Sequence, residues 1–532
     1  MNVAYAEGIT HYHTRLDTVK ELDEQSLQHL GSYTLALTRH FGGADLERTK
    51  APDQVYFNLL GEVVHYPEGW VVPLTVFVIL LFVGVVALGF RRRQLSLGGI
   101  VLGFLALLAS MIVAALGTYL VWALIRVLYP AEYIWALQYI APLFWLGFAG
   151  LTVGITTALY AGFSKKIRVA NLAVGALIWW LLFAGLTGVL FPPASFVYTW
   201  PLLFSLLGSG ALFAPGDRPA NPWYPFAVLV LGAIPAVLVF APAIYGVTLI
   251  QGLLPAAVPA FAAMIVVLLG LLIPHLALIA KPNRWALPGA AAVLGLGLLV
   301  AGTLTAGFDA RHPKPNNIFY ALNADTEQAI WASYDESVDS WTSQFLGAYP
   351  HKGLVTDYLD ASEPLLYSEA PPVSLEAPDA ELIDDGTSGV IRTLRVRITP
   401  PPRTNLLTVT TDAEERIVGA AVDGERVPDV MSGSVGRPAW TLNYSSPPPE
   451  GIDLTLKVED AQPLRLTARA AIPGLPSIPG ESYRARPPDM MAHHYEDRTL
   501  VSESFPFVVR AERESKPRLR SSTPSEGRHN DD

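Results

Sequence analysis

Residues 70–93 read WVVPLTVFVILLFVGVVALGFRRR, an uncharged and mostly apolar run closed by three arginines. A helix of this length covers a hydrocarbon core of about 30 Å at about 1.5 Å per residue. The arginines mark the end that stays on the cytoplasmic side. The same unit recurs as far as Gly307, and we read about eight spans: Trp70–Phe90, Gly98–Leu128, Ile134–Phe163, Val169–Phe191, Phe196–Ala214, Tyr224–Val247, Leu254–Ala280 and Trp285–Ala306. Arg91, Arg92 and Arg93 follow the first span, Lys165, Lys166 and Arg168 the third, Arg218 the fifth, and Lys281 and Arg284 the seventh. The intervening connections at Tyr129–Tyr133, Pro192–Ala194 and around Gln251 carry no lysine or arginine. An even number of spans with every second loop positive puts both termini outside the cytoplasm.

Composition agrees with a lipid-solvated middle and polar flanks. Only 16% of the 532 residues are charged, and these concentrate before Trp70 and after Gly307. The formal charge of −10 resides mostly in those flanks, so there is no basic face for nucleic acid. With no cysteine, an extracytoplasmic part depends on its own core rather than on disulfides. That suits a bacterial inner membrane better than a eukaryotic endomembrane. Met1–Thr10 lacks the basic and apolar regions of a signal peptide. Translocation of the short acidic segment before Trp70 then rests on the first span and its arginines, unless the natural start lies upstream.

His11-Tyr12-His13-Thr14-Arg15-Leu16-Asp17-Thr18 precedes an amphipathic helix. Asp23 predicts the N-cap, Leu22 and Leu27 form a hydrophobic staple, and Leu27, Leu30, Thr34, Leu37 and Phe41 recur at helical spacing up to Gly42-Gly43. Such a stripe requires a covering surface, and Met1–Glu68 offers little. His11 and His13 on an extended strand would share one face, which alone makes a weak metal site.

The string Tyr12-His13-Thr14-Arg15-Leu16-Asp17-Thr18 and its continuation to Gly31 resemble the carboxy-terminal end of the catalytic domain of metallopeptidase family 28, the co-catalytic zinc aminopeptidases. The layout resembles the membrane-anchored branch of that family, the endoplasmic-reticulum metallopeptidase and vacuolar membrane protease type. The resemblance implies zinc as cofactor, His13 as the last metal ligand and Asp17 in a supporting role beside it. It also implies that residues 1–69 are a short remnant of an α/β zinc-peptidase domain. The remaining family ligands, a His-x-Asp, a Glu-Glu pair and a further acid, are not found with it. Glu414-Glu415 follows Thr411-Asp412-Ala413 and reads as a solvated turn. On this reading the chain is a carboxy-terminal portion that does not hydrolyse peptides alone, and a peptide is its substrate only with the full peptidase domain present.

Inside the spans ionisable groups are scarce. Arg126 and His275 lie near span ends, Gln138 is a lone amide suited to bonding across helices, and Gly289-Ala290-Ala291-Ala292 with Gly295 and Gly297 permits close packing. Prolines 235, 242, 255, 259 and 274 are expected to kink spans six and seven or to open a cavity there. Beyond Gly307, residues 307–515 predict an extracytoplasmic antiparallel β-sandwich. Ile318–Asn323 and Gln328–Ser333 flank a turn; Val390–Ile398, Leu406–Thr410, Ile417–Val422, Leu454–Val458 and Leu464–Ala470 follow, with a tight turn at Asp423-Gly424. Asp335, Glu336 and Asp339 read as a solvated face rather than a calcium loop, and residues 516–532 as a disordered tail. Two functions are therefore expected to compete: a membrane-anchored zinc metallopeptidase of which this chain is the anchor and distal domain, and a membrane scaffold or small-solute permease with a ligand-binding β-sandwich. The lipid bilayer is a partner in both.

Overall fold

The computed structural model describes residues 8, 10–45, 50–129, 131–213, 223–279, 283–359, 363–411, 417–427, 440–459, 463–493 and 497–507. These fall into two compact units, Met1–Pro315 with Pro487–Met491, and Asn316–Arg486 with Ala492–Asp532. The Glu414-Glu415 pair and the 516–532 tail lie outside the described residues.

The first unit is helical. It contains α1 (Glu24–Gly42), α2 (Val71–Arg91), α3 (Leu97–Leu128), α4 (Ala131–Tyr139), α5 (Ala141–Phe163), α6 (Val169–Leu190), α7 (Phe196–Phe213), α8 (Trp223–Gln251), α9 (Ala257–Leu271), α10 (Ile273–Ile279) and α11 (Ala286–Thr305). Among the described residues seven helices are long and apolar enough to cross a membrane, namely α2, α3, α5, α6, α7, α8 and α11. Large apolar side chains such as Leu80, Leu120, Leu190 and Leu231 face outward from them, the reverse of a water-solvated bundle.

The expected seventh span, Leu254–Ala280, is corrected from one continuous helix to a broken one. It is interrupted at Leu272, leaving a 15-residue α9 and a separate α10. Pro274 supplies the reason, because it has no N–H to return to the carbonyl one turn earlier. The expected third span is likewise shortened, with Ile140 separating α4 from α5 just before Pro142. Pro201, Pro235 and Pro242 instead lie inside continuous helices.

Close approach of backbones holds the bundle together. α5 and α11 cross at Gly147, Gly150 and Gly154 against Gly295 and Ala292, so near that a Cβ on Gly295 would lie 2.4 Å from the Leu151 amide nitrogen. α3 meets α6 in the same way at Gly103 and Gly175. Polar side chains are used at these crossings. Asn171 bonds Ser96 through both its oxygen and its nitrogen (3.1 and 3.3 Å), and the buried Trp180 indole donates to the Val267 carbonyl at 2.9 Å. Gln138 accepts from the Leu253 amide at 3.3 Å, a bond between segments as its sequence position suggested. A hairpin that the sequence reading missed, Gln54–Leu59 with Glu62–Pro67, turns at Leu60-Gly61 with both φ positive and stacks Phe57 on Phe196, ring centroids 4.3 Å apart.

The second unit is built from sheets. The larger has eight strands in the order Thr441–Ser445, Leu406–Thr411, Leu464–Pro473, Arg498–Phe507, Phe319–Asn323, Gln328–Ser333, Leu365–Ala370 and His351–Gly353. The smaller has five, Glu425–Arg426, Ile417–Val422, Ile452–Glu459, Ile391–Thr399 and Asp379–Ser388. Their alternating apolar residues form one core, with Leu394, Val396, Leu454 and Leu456 from the smaller sheet and Leu407, Val409, Leu466 and Ala468 from the larger. The Asp423-Gly424 turn joins two strands as predicted, both residues taking positive φ. The expectation of a wholly antiparallel arrangement is corrected at one place, since Arg498–Phe507 pairs parallel to Phe319–Asn323. A long crossover replaces the hairpin that an antiparallel pair permits.

Candidate functional site

The residues singled out by the family resemblance lie in a turn-rich loop before α1. His11 and Tyr12 both donate their amides to the Gly8 carbonyl, and the Thr14 hydroxyl bonds the His11 carbonyl at 2.8 Å. These bonds force His13 into the left-handed region at φ 58°, an uncommon conformation for a residue with a side chain. Its imidazole is exposed and stacks on Tyr12, ring centroids 3.8 Å apart. Asp17 is exposed too, its amide bonded to the Thr14 carbonyl at 3.0 Å. Arg15 ties the loop down by donating to the Pro488 carbonyl at 2.8 Å.

The helix that follows starts where its N-cap predicts. Asp23 accepts the Ser26 amide at 2.8 Å and the Ser26 hydroxyl at 2.6 Å. The hydroxyl bond, followed by the amide bond, holds the Asp23 carboxyl below its ordinary range. Gly43 ends the helix. α1 contains no buried residue, and Leu27, Leu35 and Phe41 are each about half exposed. Burial is what makes an apolar side chain contribute to stability. Replacing Leu27, Leu35 or Phe41 singly by glutamine in the isolated chain is therefore expected to shift its stability by no more than about 0.5 kcal/mol. A thermal melt showing a loss of about 2 kcal/mol at any of the three would reveal a covering surface.

A zinc ion in a protein takes three or four donors, with further interactions orienting them. Among the described residues no group of three His, Asp or Glu side chains is placed to hold a metal ion. His13 is a single exposed donor, and the described residues by themselves do not make a zinc site.

The distal acids differ from the solvated face expected of them. Glu336 is exposed, but Asp335 and Asp339 are half-buried. Asp335 accepts from the Asn317 amide and side chain at 3.2 and 3.3 Å. Asp339 accepts the Trp341 and Thr342 amides at 2.9 and 2.8 Å and the Asn316 side chain at 2.7 Å. These bonds give both carboxylates structural work in shaping the turn.

Two polar groups inside the bundle lack hydrogen-bond partners, and the sequence reading noted only the first. His275, expected near a span end, sits just past the Pro274 interruption, and neither ring nitrogen has a hydrogen-bond partner. Tyr160 is 6% exposed with its hydroxyl likewise unpartnered. Each occupies an apolar run, where hydropathy gives no sign of what neighbouring helices provide. No family model, curated protein or solved structure matches the chain.

Proposed function

We propose that this chain is the membrane-anchoring and distal part of a zinc metallopeptidase of the family 28 kind, and that it does not hydrolyse peptides alone. The observation that carries the reading is the junction of the Tyr12–Thr18 loop with α1, in which a histidine-bearing turn leads into a capped helix with an uncovered apolar side. In a complete peptidase domain that side has a surface to cover it, and His13 has companion ligands. Asp17 then supports His13 from outside the metal's own shell.

The seven long apolar helices support anchoring. Their glycine crossings and the bonds of Asn171, Gln138 and Trp180 serve helix packing rather than a solute path. The shared core of the two sheets supports a β-sandwich, which we place outside the cytoplasm together with both termini, taking α9 and α10 as one broken eighth crossing between the charged loops.

Two experiments test this. Purified chain is expected to hold no stoichiometric zinc and to show no aminopeptidase turnover; tightly held zinc lost on His13→Ala would overturn its inactivity alone. A reporter active only in the cytoplasm is expected to work when fused after Arg93 or Arg284 and to fail after Asp412. Activity after Asp412 would overturn the placement of the distal unit.

A further inference from the structure

Between the end of α5, the start of α6, α10 and the start of α11 lies a cleft of about 60 Å³, several times the roughly 10–15 Å³ that one water requires. Leu172, Ile273 and Leu287 line it with hydrocarbon, while Tyr160, Ser164 and Arg284 bring polar atoms to it. The Tyr160 hydroxyl is buried and bonds to nothing in the protein, although α5 holds its ring in place. Ser164 and Arg284 are exposed at the rim. Lys165 stands beside them, its ammonium 5.9 Å from the Trp285 ring centre, and Lys166 and Arg168 are also exposed. Neither connection, 164–168 or 281–285, contains an acidic residue. These two connections thus carry cationic side chains and no acidic one.

We propose that this cleft binds an anionic membrane phospholipid. Its phosphate meets Arg284 and Lys165, an ester carbonyl accepts from the Tyr160 hydroxyl, and an acyl chain follows the Leu172, Ile273 and Leu287 wall. The three parts of the site match the three parts of such a lipid in order from water to hydrocarbon. A free phosphate would leave the apolar wall and the buried hydroxyl unsatisfied. A neutral lipid would leave the cations uncompensated.

The test uses the full chain, delipidated in mild detergent and titrated with phosphatidylglycerol or phosphatidylcholine of matched acyl chains, read by native mass spectrometry. The first phosphatidylglycerol is expected to bind at least about fivefold tighter than phosphatidylcholine, and Arg284→Ala to remove about that factor, the effect of one cation beside a lipid phosphate. Tyr160→Phe keeps the ring and is expected to weaken both lipids severalfold while preserving their ratio. Equal binding of the two lipids, an Arg284→Ala ratio like that of the unaltered chain, or no change on Tyr160→Phe would overturn the proposal. So would displacement of bound lipid by millimolar glycerol phosphate, which would identify a site for a soluble anion instead.

Discussion

Gly295→Val is expected to abolish the folded helical unit in detergent, while Gly297→Val two residues along is tolerated. At Gly295 an added Cβ would stand 2.4 Å from the Leu151 nitrogen, 2.7 Å from the Gly147 oxygen and 2.8 Å from the Gly150 carbonyl carbon. All three are backbone atoms of α5, so no rotamer change relieves the clash. The helices must separate, and the contacts of Gly147 with Leu299 and of Gly154 with Ala292 are lost with them. Overpacking in cores typically costs about 1–3 kcal/mol, and a backbone-to-backbone clash belongs at or above the upper end. Around Gly297 a Cβ meets nothing within 4 Å. Thermal melts of the two variants in one detergent make the comparison, and equal stability would sink the reading of this crossing as a backbone-to-backbone contact that holds α5 against α11.

The second large effect is expected in the distal unit. Arg392 is 1% exposed and gives Nε and Nη2 to the two Asp385 oxygens at 2.9 and 2.8 Å, with Nη1 on the Phe507 carbonyl at 3.2 Å. Arg392→Ala removes the guanidinium and leaves a carboxylate, 15% exposed, facing the resulting cavity. Removing one member of a buried pair costs about 3–5 kcal/mol, a large fraction of the 5–15 kcal/mol typical of a domain. Arg392→Leu combined with Asp385→Leu is expected to recover most of the loss, because both buried charges are then replaced by hydrocarbon together. Arg395→Ala is the contrasting case: it breaks a 2.8 Å contact with Asp453 but is half exposed, so about 1 kcal/mol or less is at stake. Denaturant melts of the four forms check this, and an Arg392→Ala loss no greater than that of Arg395→Ala would refute it.

The apolar runs were legible because lipid imposes a length and a composition that few other environments require. What broke them was less so. Pro201, Pro235 and Pro242 lie within continuous helices while Pro274 accompanies an interruption, so a proline in the text does not by itself say whether a helix breaks there. Strands with one buried face, such as Ile391–Thr399, alternate in the text and were found nearly to the residue. Asp379–Ser388 was missed, because an edge strand with a register shift between Leu382 and Asp384 has little apolar alternation to show. For the site, the loop before α1 was legible as a motif and as a capped helix start. The cleft at Tyr160 was not, since its walls come from segments more than a hundred residues apart.

The parallel pairing of Arg498–Phe507 with Phe319–Asn323 has a consequence for biosynthesis. Leu322 and Ser502, bonded across that pair, are 180 residues apart in the chain. At about 5–20 residues per second a ribosome needs roughly 10–40 s to supply the second strand after the first. Throughout that interval the hairpin of Phe319–Asn323 and Gln328–Ser333 presents an apolar open edge, the kind of edge on which nascent chains aggregate. The high contact order of this closure also slows the final step once synthesis is complete. Expression yield of the distal unit is therefore governed by how well that edge is shielded during translation, and a holdase chaperone supplied in excess should raise it more than any stabilising substitution in the finished sheet.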